Sequence, residues 1–130
     1  MQTKRPKAKT FRDLLVWRKA HEFVLGVYRF TATFPKTETY GLALQIRRAA
    51  VSIPANIAEG RRQESEKEFA RFLRYALHSA SELEYHIILA RDTKVVPADE
   101  CISLLEQTIT VRKMLYALLK RLDDGKGKHA

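Results

Sequence analysis

At 130 residues, with 45% hydrophobic and 30% charged side chains, the chain is long enough to bury one core and too apolar for disorder to be its expected state. A single cysteine, Cys101, excludes an internal disulfide and a cysteine-built metal knuckle, and a reducing cytoplasm is the simplest compartment for it. The formal charge of +9 suggests an anionic partner, while no apolar run approaches the roughly 20 residues of a membrane span.

The charge is unevenly spread. Residues 1–12 form a basic arm holding Lys4, Arg5, Lys7, Lys9 and Arg12 without one acid, and no apolar stretch follows it to make a signal peptide. Residues 120–130 set four basic side chains against Asp123 and Asp124, so the body between the two ends is close to neutral. Nucleic-acid binding must therefore rest on the ends or on local clusters rather than on the total.

Asp13 is placed to cap a first helix over 13–33, which no proline interrupts before Pro35. At 100° per residue Trp17, Ala20, Val24, Val27, Tyr28 and Thr31 share one face, with Val16, Phe23, Phe30 and Phe34 as a second apolar strip beside it. His21 falls at the edge of the Trp17 face, where packing between Trp17 and Tyr28 is the expected role, since no second metal ligand is spaced with it.

Pro35 opens a turn, and Thr37 or Thr39 is positioned to cap a second helix over 40–60, with Gly60 set to end it in a left-handed conformation. This helix divides into four strips. Leu42, Ile46, Ala49, Ala50, Ile53 and Ile57 form one apolar side, and Leu44, Val51, Ala55 and Ala58 form another nearly opposite. Gln45, Ser52, Asn56 and Glu59 line a polar edge with Arg48 alongside, and Arg47, Pro54 and Arg61 lie on the other edge. Two apolar sides require two sets of partners, so the outer side is the expected seam of an oligomer; the polar edge beside it is expected to hold helices in register through side-chain hydrogen bonds, with Arg48 as counter-charge to Glu59, and lining a pore or cleft is the alternative. Pro54 cannot donate to the carbonyl of Ala50, which predicts a kink, with water or the Ser52 hydroxyl meeting the freed carbonyl.

Ser65-Glu66-Lys67-Glu68 fits a capping box that opens a third helix over 65–91. Phe69, Phe72, Leu73, Ala76, Ala80, Leu83, Ile87 and Ala90 give it a continuous core stripe, and Lys67, Arg71, Arg74 and His78 a separate basic one. Pro97 suits the first turn of a fourth helix over 97–122, with Leu105, Thr108, Val111, Leu115, Leu118 and Leu122 facing inward and Ile102, Ile109 and Tyr116 widening that stripe. Asp123-Asp124-Gly125 should end it, leaving 123–130 as a frayed tail. Four amphipathic helices with short links give an all-α, antiparallel up-down-up-down four-helix bundle over 13–122.

No catalytic or cofactor signature accompanies this fold. A di-metal carboxylate site needs Glu-x-x-His pairs, and none occurs. His78, Glu82 and His86 are spaced four and four, so they drift around the helix and at best partly share a metal. Cys101 has no histidine near it in sequence, and Gly60 stands apart from any phosphate loop.

Taken together, FRDLLVWRKA, FPKTETYGLALQIRRAAVSIPANIAEGRRQ and FARFLRYALHSASELEYHI resemble the bacterial four-helix bundle proteins encoded in intervening sequences of 23S ribosomal RNA genes. The match is most specific in Tyr40 to Gly60, and the fourth helix matches in general character. The resemblance implies a bundle assembling into a ring, typically a homopentamer, and a likeness to accessory proteins that partner reverse transcriptases in diversity-generating retroelements. It carries no catalytic residues.

The expected function is that of a non-enzymatic, ring-forming bundle, binding RNA or other nucleic acid through Arg47, Arg48, Arg61, Arg62, Lys67, Arg71 and Arg74 with help from the basic ends. The alternative is an assembly or adaptor protein whose ring docks a protein partner, with the arginines serving interfaces and salt bridges.

Overall fold

The computed structural model describes residues 14–128, with side chains described to residue 124; the basic arm and the Asp13 cap lie outside that range. Four helices account for most of it: α1 (Leu15–Thr31), α2 (Leu42–Arg61), α3 (Glu66–Asp92) and α4 (Ala98–Lys128). A single 3-10 turn at Lys36–Glu38 precedes α2, and no strand occurs among the described residues. The architecture is an all-α helical bundle. In it α2 packs on α1 and α3, and α4 packs on α3 and α1, so each helix touches two others around one core.

The core follows the helical period. On α2 it is Ile46, Ala49, Ala50, Ile53 and Ile57, and on α3 Phe69, Leu73, Ala76, Ala80, Leu83, Ile87 and Ala90. Each isoleucine or leucine removed from water there stabilises the fold by about 1.5–3 kcal/mol. Pro54 is buried within an α2 that remains helical on both sides of it. Among the described residues two polar side chains, Thr31 and Thr108, enter the core, and each donates its hydroxyl proton to a carbonyl of its own helix. Thr31 Oγ1 donates to the carbonyl of Val27 at 2.8 Å, and Thr108 Oγ1 to that of Leu104 at 2.7 Å.

Two stripes are rotated from their expected positions. On α1 the buried set is Val16, Ala20, Phe23, Val24, Val27 and Thr31, while Tyr28 lies outside and Trp17 is half-buried. His21 is exposed and stacks on Trp17, with ring centroids 5.1 Å apart. On α4 Cys101, Leu104, Thr108, Val111, Leu115 and Leu119 are inside. Leu105, Leu118 and Leu122 are only partly buried, and Ile102 and Tyr116 stand 51% and 64% exposed rather than widening the core. The cause is tertiary: α4 packs on both α3 and α1, and those two contacts rather than its own pattern decide which face is buried. The helix also runs through Asp123-Asp124-Gly125 to Lys128 instead of ending near Leu122.

The helix ends show where local chemistry decides. Ser65 Oγ accepts from the Glu68 amide at 3.1 Å and caps α3 as its sequence predicts. At the other end Lys94 takes φ 60°, the Val95 amide donates to the Ala90 carbonyl at 3.0 Å and the Lys94 amide to Arg91 at 3.1 Å, which is a Schellman stop built without glycine. Neither Thr37 nor Thr39 caps α2; its first amide, from Leu42, donates to Glu38 Oε1 at 3.3 Å. Gly60 is not a left-handed terminator either. It is buried in the last turn of α2, where a Cβ would meet the Phe72 Cβ at 2.8 Å and the Phe69 ring at 2.9 Å.

Candidate nucleic-acid interface

The sequence nominates seven basic side chains, and the fold separates them. Arg61, Arg62, Lys67, Arg71 and Arg74 gather about the α2–α3 turn. Arg47 and Arg48 lie about 20 Å away along α2, at 1.5 Å per residue. Arg47 is committed to the fold: Nε donates to Thr31 Oγ1 at 2.6 Å, Nη2 donates to the Tyr28 carbonyl at 3.4 Å, and the guanidinium sits 4.5 Å above the Tyr28 ring. It therefore ties the start of α2 to the end of α1.

Around the turn the cations are held more loosely. Arg61 lies 5.8 Å over the Phe69 ring, and Arg62 approaches Glu59 at 3.8 Å. Arg71 pairs with Glu68 at 2.8 Å and donates to the Tyr75 hydroxyl at 2.9 Å, contacts that raise its already high pKa, Glu68 contributing most. Arg74 bridges to Asp123 of α4 at 3.3 Å. Arg48 and Lys67 are exposed and make no ion pair among the described residues. Exposed pairs of this kind are worth about 0–1 kcal/mol, so a phosphate can replace the carboxylate at little cost.

The nominated seam of α2 also divides. Asn56 Nδ2 donates to the Ser52 carbonyl at 2.8 Å and to its hydroxyl at 2.9 Å, and that hydroxyl is 2.7 Å from Ser79 Oγ on α3. The middle of the polar edge thus fixes α2 against α3. Its ends, Gln45 and Glu59, are exposed, and the ion-pair partner of Glu59 is Arg62 rather than Arg48. The outer apolar side faces outward, with Val51 40% exposed, Ala55 exposed, and Leu44 and Ala58 partly covered.

Two further surfaces were not legible in the sequence. Leu14, Leu15 and Val16 line a cleft of about 400 Å³ together with Lys120, Arg121 and Asp124. On the other side of α4, a groove of about 560 Å³ runs between α3 and α4 beside Tyr116. Their signals are contacts between the start of α1 and the end of α4, and between α3 and α4, which no local pattern encodes.

Chemistry of a catalytic kind finds little to work with. Cys101 is buried and its thiol is pushed up by desolvation, so it stays protonated at neutral pH. Among the described residues no three His, Cys, Asp or Glu side chains gather as metal ligands. Glu82 reaches His86 Nε2 at 3.3 Å, and His78 is exposed one helical turn away from Glu82. No helix among the described residues is long and apolar enough to cross a membrane.

With this bundle in view, the comparison of sequences is decisive, because the model of the 23S rRNA-intervening sequence protein family matches residues 12–117. The chain belongs to that family. A crystal structure from Bacteroides thetaiotaomicron VPI-5482, of a protein of unknown function from the S23 ribosomal protein family, is similar at a TM-score of 0.74 and 28% identity, covering 82% of this chain and 99% of that one. No curated protein matches. As a 23S rRNA-intervening sequence family protein, the chain takes the four-helix form that its resemblance implies.

Proposed function

We propose that this family member is a non-enzymatic, antiparallel up-down-up-down bundle, kinked at Pro54, that assembles into a homo-oligomeric ring and binds RNA in the cytoplasm through phosphate contacts. Antiparallel packing is supported by two pairs that step in opposite directions along α3 and α4, Arg112 with Glu84 and Arg74 with Asp123. The kink is supported by the N–H that Pro54 lacks, which leaves the Ala50 carbonyl without its helical donor. For the ring, the support is the outward strip of Leu44, Val51, Ala55 and Ala58, which gives α2 a second apolar side after its first is buried. Five subunits is what the family resemblance implies.

One observation carries the RNA reading. Leu14 and Asp124 line one cleft, and the stretches of sequence that adjoin them hold most of the excess charge: five basic residues without an acid in 1–12, and four against two acids in 120–130. Leu14 and Asp124, the described residues that adjoin these two basic segments in sequence, line that one cleft, and Asp123 beside them pairs with Arg74. Such concentration favours a polyanion, and its binding releases counterions.

A second reading keeps the ring but gives it a protein partner, such as a reverse-transcriptase-like protein, and it is favoured by the internal use of Arg47. Titrating the full chain with ribosomal RNA fragments at two salt concentrations separates them. Phosphate binding gives affinity that falls steeply with salt; absence of binding at low salt leaves the adaptor. Light scattering tests the ring, and a monomer would remove it.

A further inference from the structure

Ile102, Ile109 and Tyr116 recur at seven-residue spacing on α4, and they do not belong to the core: Ile102 and Tyr116 are well exposed and Ile109 is only partly covered. Tyr116 stands at the groove between α3 and α4, which the half-buried Leu77 lines together with the exposed His78, Ser81, Lys113 and Ala117. The carboxylate of Glu84 is taken up by Arg112, which also lines the groove. That pairing fixes the guanidinium and neutralises the acid that would repel an anion. An exposed aromatic face beside basic side chains is the combination with which proteins hold unpaired nucleotides.

The groove also meets the cleft between the start of α1 and the end of α4. Ala117 lines both the groove and the cleft that joins Leu14 to Asp124, and Lys120 and Arg121 follow it one turn along α4. A strand whose phosphates lie along Arg121, Lys120 and Lys113 passes Tyr116 at the spacing of one helical turn, about 5.4 Å, which is within the reach of neighbouring nucleotides.

We infer that the α3–α4 groove is a stacking site for an unpaired base of single-stranded RNA, with Tyr116 as platform and Lys113 as phosphate contact. The inference rests on the RNA reading above and assigns it residues outside the α2–α3 turn. Stacking is sequence-tolerant because every base offers a π-face, and it is lost in duplex RNA, where the bases face one another.

The test uses the full chain with fluorescein-labelled oligouridine and, separately, a blunt RNA duplex, each at two salt concentrations. Tyr116→Ala should weaken oligouridine binding by roughly 5- to 100-fold with the salt slope unchanged, and Tyr116→Phe should retain it. Duplex affinity should stay within about twofold, because phosphate contacts alone serve it. Lys113→Ala should lower the salt slope for oligouridine by about one. Tyr116 is largely exposed, so unchanged circular dichroism melts confirm that the fold survives. Oligouridine binding that is equal in wild type and Tyr116→Ala overturns the stacking site while the RNA reading stands; that is also the result expected if an acidic protein segment occupies the groove. Failure of the wild-type chain to bind either RNA at low salt overturns both.

Discussion

Gly60 and Phe72 lie so close that a Cβ on Gly60 would stand 2.8 Å from the Cβ of Phe72. The end of α2 and the start of α3 are pressed together at the one point where a missing side chain allows it. Gly60→Ala should therefore force the helices apart and cost about 1–3 kcal/mol, the usual range for overpacking. Gly26 supplies the control: its nearest neighbour is the flexible Arg29 Nη2 at 3.8 Å. There the same change should stabilise the protein by roughly 0.5–1 kcal/mol through helix propensity. Urea melts of the two variants should move in opposite directions.

Arg47 should behave as a structural residue. Arg47→Ala removes a hydrogen bond to Thr31, a cation–π contact with Tyr28 and the tie between α1 and α2; a loss of about 1–2 kcal/mol is expected. RNA affinity, measured where both proteins are folded, should change far less than for Lys67→Ala. A larger effect of Arg47→Ala on affinity than on stability would reverse this assignment.

The two ends of α3 make opposite predictions. Ser65→Ala removes the acceptor of the Glu68 amide and should cost about 1 kcal/mol. Lys94→Gly relieves a side chain held at φ 60° and should stabilise by on the order of 1 kcal/mol. Thermal melts at one pH and protein concentration resolve both.

Cys101 gives a pH dependence. Desolvation raises its thiol pKa above the ordinary 9.0 in the fold, Arg91 opposing and Glu100 adding to the shift. The folded state thus holds the proton more tightly than the unfolded state. Its contribution is complete below the unfolded value and is lost as pH rises through and beyond it. Relative to Cys101→Ala, which has no proton to lose, the wild type should weaken in chemical melts above about pH 9. Alkylation of the thiol should be slow in the native protein and fast in denaturant.

How much of this could be read from the sequence depends on how sharply each helix separates its faces. On α2 the isoleucines at 46, 53 and 57 outweigh the opposite strip of Leu44, Val51, Ala55 and Ala58 in bulk, so burying the isoleucines is the favoured orientation and the core of α2 follows from spacing. On α4 the doublets Leu104-Leu105 and Leu118-Leu119 offer two stripes 100° apart. The choice between them is made by contact with α1 and α3, not by local pattern. The candidate site shows the same division. The basic turn is contiguous in sequence and could be named, whereas Ser79, Asp123 and the Tyr116 groove take their meaning from long-range pairings. Gly60 was conspicuous as a glycine, but the reason for it, a neighbouring phenylalanine, lies on the next helix.

The meeting of Leu14 with Asp124 has one more consequence. Helix contacts run between consecutive helices, with α1 to α4 as the closing pair, so the bundle is a cycle that the chain happens to cut there. A short flexible linker across that cut, with new termini opened in the turn between α3 and α4, should yield a circular permutant that folds to the same core. Cutting instead at Gly60 would part the two helices whose closest approach depends on it.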